Sequence, residues 1–190
     1  DGNVNYFGDL DELQFYGSAL TQQQVQELYA NNLVTTGTSV GGQLLPASTA
    51  VSITASGAAL DLNGNDQTIG SLTGVAGSDV LLGSGSLTTG GDNSSTNFAG
   101  AISGSGSLIK VGTGKFTLSG ANTFTGPTSV NSGTLSLASS LTSTSIISVG
   151  SGAILQLQPS ASINTANLAL GPGGTLDLTT NTAVFDTTVA

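Results

Sequence analysis

The feature that most constrains this chain is a repeat. From about residue 51 onward, short runs with alternating leucines follow a glycine: Gly57-Ala58-Ala59-Leu60-Asp61-Leu62, Gly133-Thr134-Leu135-Ser136-Leu137, Gly152-Ala153-Ile154-Leu155-Gln156-Leu157 and Gly174-Thr175-Leu176-Asp177-Leu178. Leu137 and Leu157 are 20 residues apart, and Leu157 and Leu178 are 21 apart. Leu118 precedes Leu137 by 19, and Leu82 follows Leu62 by 20. Alternation at period 2 is the mark of a half-buried strand. A fixed spacing near 20 means that each unit buries its apolar face only by stacking on the next one. The reading is all-β: a parallel β-helix with one coil per period. Leu, Ile and Val point inward, Ser, Thr, Asn and Gln outward, and glycine stands at the corners. About seven coils at the ~4.8 Å strand spacing make a rod of roughly 35 Å.

Composition narrows the chemistry. The chain has 190 residues and neither His nor Cys, which removes Ser-His-Asp and Cys-His nucleophilic sites, zinc fingers, haem ligands and disulfides. Its only basic residues are Lys110 and Lys115, so there is no arginine clamp. A net charge of -9 offers no footprint for nucleic acid. Hydrophobic residues make up 37 %, enough to bury a core, and no apolar run is long enough for a membrane span. The chain opens at Asp1 without Met or a signal-peptide pattern, so it reads as a piece of something longer.

Three regions are expected. Residues 1–32 hold five of the eleven acids and all three tyrosines. Within them Asp9–Tyr16 (DLDELQFY) alternates as a strand. Thr21 and Gln24 then have capping-box spacing at the start of a helix whose one face carries Val25, Leu28 and Tyr29. Residues 33–50, with Gly37, Gly41, Gly42 and Pro46, read as a connector. Residues 51–190 are the repeat region.

Gly112–Leu137 reads GTGKFTLSGANTFTGPTSVNSGTLSL. It resembles the autotransporter-associated β-strand repeat of passenger domains of secreted bacterial proteins. The resemblance is carried by Gly112, Gly114, Leu118, Gly120, Asn122, Thr123, Phe124, Gly126, Thr128, Val130, Gly133, Thr134, Leu135 and Leu137. Phe124 stands where the family more often has Tyr, and Pro127 where Gly is common. The resemblance implies a right-handed parallel β-helix outside the cell, without catalytic residues or cofactor. Residues 1–32 resemble the last strand and helix of a laminin-G-like, concanavalin A-like sandwich, through Gly8–Tyr16, Ala19-Leu20-Thr21 and Leu28-Tyr29. As a remnant they would cover the open N-terminal edge of the β-helix. That second resemblance also implies one metal position, a structural calcium at Asp11.

Other motifs read as structure. Asp61, Asn63, Asn65 and Asp66 form D-x-N-x-N-D, but an EF-hand needs Gly and Glu where Asp66 and Leu72 stand, so a polar turn is expected. Gly90-Gly91-Asp92 matches one piece of a nonapeptide calcium repeat without a second copy. Asp61 and Asp177 alternate outward between leucines. Thr-x-Thr pairs such as Thr123/Thr125 do not recur at one place in successive coils, which favours ordinary β-propensity over an ice-binding face. Enzymatic activity is not expected, since the sole remaining route is a carboxylate-pair hydrolase. The expected function is a secreted bacterial structural or adhesive scaffold, a stalk or fibre segment at the cell surface that associates end to end through its open coils. The alternative is a carbohydrate-binding or carbohydrate-processing surface protein, with a glycan or another cell-surface partner.

Overall fold

The structure, a computed structural model, describes residues 45–141, 143–159, 161–163 and 168–178. Expectations for residues 1–32, including Asp11 and the capping role, lie outside the described residues, as does most of the 33–50 connector.

The described chain winds through sixteen short strands, all paired in parallel. Coil 1 contains β1 (Ala50–Ile53), β2 (Ala59–Asp61) and β3 (Gln67–Thr68). Coil 2 contains β4 (Ser71–Gly74), β5 (Asp79–Leu81) and β6 (Ser86–Thr89), and coil 3 contains β7 (Thr96–Phe98), β8 (Ala101–Ser103) and β9 (Ser107–Lys110). The next coils have two strands each: β10 (Lys115–Leu118) and β11 (Thr128–Val130), β12 (Thr134–Leu137) and β13 (Ile147–Val149), then β14 (Ile154–Leu157) and β15 (Leu168–Leu170). β16 (Thr175–Asp177) opens a seventh.

Strands from successive coils stack into a seven-stranded sheet (β1-β4-β7-β10-β12-β14-β16), a six-stranded sheet (β15-β13-β11-β9-β6-β3) and a three-stranded sheet (β2-β5-β8). Partners in adjacent coils are from 19 residues apart (Phe116 and Leu135) to 24 apart (Gly74 and Phe98). This is the β-solenoid that the leucine spacing predicts, and no helix occurs among the described residues.

Alternation puts columns of side chains inside. Ile53, Gly74, Phe98, Leu118, Leu137 and Leu157 are successive partners along the seven-stranded sheet. Phe98 takes the room that Gly74 leaves, because a Cβ on Gly74 would run into its ring. Each such buried aliphatic or aromatic side chain contributes about 1.5–3 kcal/mol through area removed from water. Corners are tight for the same reason. A Cβ on Gly106 would strike the Gly85 carbonyl oxygen, and one on Gly126 would strike that of Gly106. Glycine is needed there because strands stacked at about 4.8 Å leave no space for a methyl group at the bend.

The leucine spacing serves two different sheets, so Leu62 and Leu82 do not share a column with Leu118, Leu137 and Leu157. They follow β2 and β5 at the end of the three-stranded sheet, whereas the others lie in the seven-stranded one. One expectation needs correction, because the polar residues do not all face out: Gln67, Thr89, Lys110, Asn122, Thr128 and Thr144 are buried. Gln67 shows why this is tolerated. Its Oε1 accepts from the Leu45 N–H (3.1 Å) and its Nε2 donates to the Leu45 carbonyl (2.9 Å), so a side-chain amide stands in for a strand pairing.

Candidate functional site

The polar turns singled out in the sequence hold themselves together. Asp61 Oδ1 accepts from the Asn63 N–H at 2.8 Å, and Asn63 adopts a left-handed φ of 48°. Asp66 Oδ1 reaches the next coil and accepts from the Ser86 N–H at 2.8 Å. The carboxylates of D-x-N-x-N-D are therefore spent on backbone donors in two different places, as a polar turn requires. Asp92 Oδ1 accepts from the Ser94 N–H (2.9 Å) and the Ser94 hydroxyl (2.6 Å). Hydrogen bonds from the Ser71 hydroxyl and then from Ser94 hold its carboxyl below the usual aspartate range. Among the described residues no three His, Cys, Asp or Glu groups come together as a metal site.

The seven-stranded sheet carries a continuous polar network on its outer face. Lys115 Nζ donates to Gln156 Oε1 (2.8 Å), and so does the Ser136 hydroxyl (3.0 Å). Gln158 Nε2 donates to Ser136 Oγ (3.0 Å), and Gln156 Nε2 donates to Asp177 Oδ2 (2.9 Å). Since Thr117, Ser136, Gln156 and Asp177 are partners in successive coils, this network laces four coils along the rod. Ser86 and Ser107 hydroxyls (2.6 Å) make a smaller rung between coils 2 and 3. Such a surface presents amides and hydroxyls, with little charge, to whatever lies alongside.

The two lysines, which flank the turn between β9 and β10, have opposite fates. Lys115 is half-buried on the outer face. Lys110 is fully buried, and its Nζ donates to the carbonyls of Val111 (2.6 Å), Gly112 (2.9 Å) and Ser132 (3.3 Å). Burial pushes its pKa below the ordinary lysine value. Sequence reasoning missed this inward lysine, although the signal was present. In Ser107-Leu108-Ile109-Lys110, alternation puts Lys110 on the side of Leu108.

Asn122, which carries part of the repeat resemblance, is a second inward polar side chain with a structural task. It is buried, accepts from the Ile102 N–H through Oδ1 (3.0 Å) and donates to the Gly120 carbonyl through Nδ2 (2.9 Å). It thus satisfies the Ile102 N–H at the edge of β8, while the Thr123 and Phe124 N–H groups donate to the Ile102 carbonyl.

With this geometry in view, the comparisons are specific. Residues 108–137, which span Lys110, Asn122 and the turn between β9 and β10, match the passenger-associated-transport-repeat family. The chain is similar to the adhesin BmaC autotransporter of Brucella suis biovar 1 (strain 1330), with 41 % identity over 85 residues. That match covers 43 % of this chain and 2 % of the relative's length. No solved structure matches the chain.

Proposed function

We propose that this chain, which carries an autotransporter passenger repeat, is a segment of a secreted bacterial surface scaffold with an adhesive role and no enzymatic one. The observation that carries this reading is the self-satisfied stack. Its columns, corner glycines and outer hydrogen-bond network run from coil to coil, and the acids of its turns are engaged as structural acceptors. A surface of that kind suits extended contact better than catalysis, which needs a few polar groups converging on a reacting atom. Similarity to a protein named an adhesin supports the same reading. The cell exterior is the matching location, and end-to-end association of coils is part of the proposal.

Beads coated with the purified chain test it. Retention on cultured cells or on glycan-coated surfaces above that of beads coated with an unrelated β-solenoid is expected. Retention equal to the control on every surface would reject the adhesive role. Sedimentation across a wide concentration range checks the association: a species that stays monomeric throughout removes the end-to-end part.

A further inference from the structure

We propose that the corner formed by the carbonyls of Val111, Gly112 and Ser132 is a cation site for a primary ammonium group, filled by the chain's own Lys110, and that this ligation couples the three-stranded coils to the two-stranded ones. The geometry is that of a built site. Lys110 is fully buried, and an ammonium has three N–H donors, which here meet three carbonyl oxygens at 2.6, 2.9 and 3.3 Å. Gly90 makes the room: a Cβ there would stand 3.1 Å from Nζ and 3.2 Å from Cδ of Lys110. The partners of Lys110 in the adjacent coils are Thr89 and Val130, and Val149 follows, so no neighbour in this column repeats the cation.

Position gives the site its role. Lys110 is the last residue of β9, hence of the last coil with three strands. Val111 and Gly112 form the corner leading out of that coil, while Ser132 lies on the corner one coil further on, between β11 and β12. One ammonium therefore holds two successive corners across the point where the cross-section changes. An apolar side chain of equal length could fill the volume but could not bind carbonyls. The half-buried Val111 and Ser132 carbonyls would lose the ammonium donor, while the Gly112 carbonyl would keep the Ser132 hydroxyl at 3.2 Å.

Replacement separates ligation from packing. Lys110→Met keeps the bulk, and Lys110→Ala removes the equivalent of n-propylammonium. Calorimetry of the wild type should give one unfolding transition. Both variants should unfold in two, the lower one several degrees below the wild type. n-Propylammonium chloride should restore the single transition in Lys110→Ala, whereas tetramethylammonium, which has no N–H, should not. A Lys110→Met chain that unfolds in one step at the wild-type temperature would overturn the proposal. So would equal rescue by the two salts. If neither variant folds, the wild type decides through its two lysines. After selective 15N labelling, one ammonium signal should exchange with water on the order of tenfold more slowly than the other, as opening-limited exchange requires. Equal exchange of both would refute the site.

Discussion

Coils 1–3 and coils 4–6 share a period and an inward apolar pattern, yet they close their circumference differently. In coils 1–3 the third side is a strand, so β2, β5 and β8 satisfy one another through backbone pairing. From coil 4 the third side shows no strand in this sheet among the described residues: the Thr123, Phe124 and Thr125 N–H groups still donate to the Ile102 and Gly104 carbonyls, and side chains supply further bonds. Asn122 receives the Ile102 N–H. Thr144, itself buried, donates to the Gly126 carbonyl at 2.6 Å, and the Ser139 hydroxyl donates to the Gly120 carbonyl. The difference teaches that a coil requires a sealed core and satisfied backbone groups, and that an irregular segment with fewer backbone bonds meets that need when side chains add theirs. Bulk changes at the same place. The buried phenylalanines Phe98, Phe116 and Phe124 fall in coils 3 and 4, on either side of the change.

The harshest way to break this comparison is to remove that bulk. Phe116→Ala, with the ring 1 % exposed, should destabilise the chain by about 3–5 kcal/mol. Urea unfolding measures it. A loss below about 1 kcal/mol would mean that the junction repacks and that the aromatic bulk there is incidental.

The next test concerns the two kinds of third side. Asn122→Ala leaves the buried Ile102 N–H without its acceptor, while the Gly120 carbonyl keeps the Ser139 hydroxyl, so a cost of about 1–3 kcal/mol is expected, from the Ile102 N–H. Asp66→Ala in the turn after β2 removes a single bond to the Ser86 N–H at an exposed position, and water replaces it for about 1 kcal/mol or less. Equal losses in denaturant unfolding would show that loop-closed and strand-closed sides depend on side chains alike.

Much of this was legible in the residues. Leu118, Leu137 and Leu157 announced the seven-stranded sheet because alternation and a 20-residue spacing leave a leucine few places to go. The turn at Asp61–Asp66 was legible because Asp and Asn bond their own backbone locally. The assignment of columns was less so: Leu62 and Leu82 share the spacing but belong to another sheet, and spacing alone cannot say which side of a coil a residue occupies. The Ile102 N–H of β8 goes to the Asn122 side chain, a contact between residues 20 apart that leaves no local pattern. Lys110 was hidden by the general rule that lysine stays wet. Three carbonyls at a glycine corner override that rule.

The smallest expected effect sharpens the comparison on the strand-closed side. Asp92 lies in the loop from β6 to β7 and ties that loop back to coil 2 through the Ser71 hydroxyl, with Ser94 as its other donor. These bonds favour the carboxylate, so its folded pKa lies below the ordinary value of 3.8. The unfolded chain then takes up the proton first as pH falls. The stabilisation from Asp92 is complete above about 3.8 and is lost as pH drops through the lower folded value. Asp92→Asn removes this dependence, so the gap in urea midpoint between wild type and variant should be open at about pH 5 and narrow toward about pH 3. Asp92 is exposed, so solvent screens its bonds and the gap should be the smallest of the series. A gap that stays constant with pH would mean that the loop is positioned by its backbone, with Asn93 at a φ of 64° and its Oδ1 accepting from the Thr113 N–H. In that case the joint between coils 2 and 3 would be held by local geometry, and the difference from the later coils would lie only in the third strand.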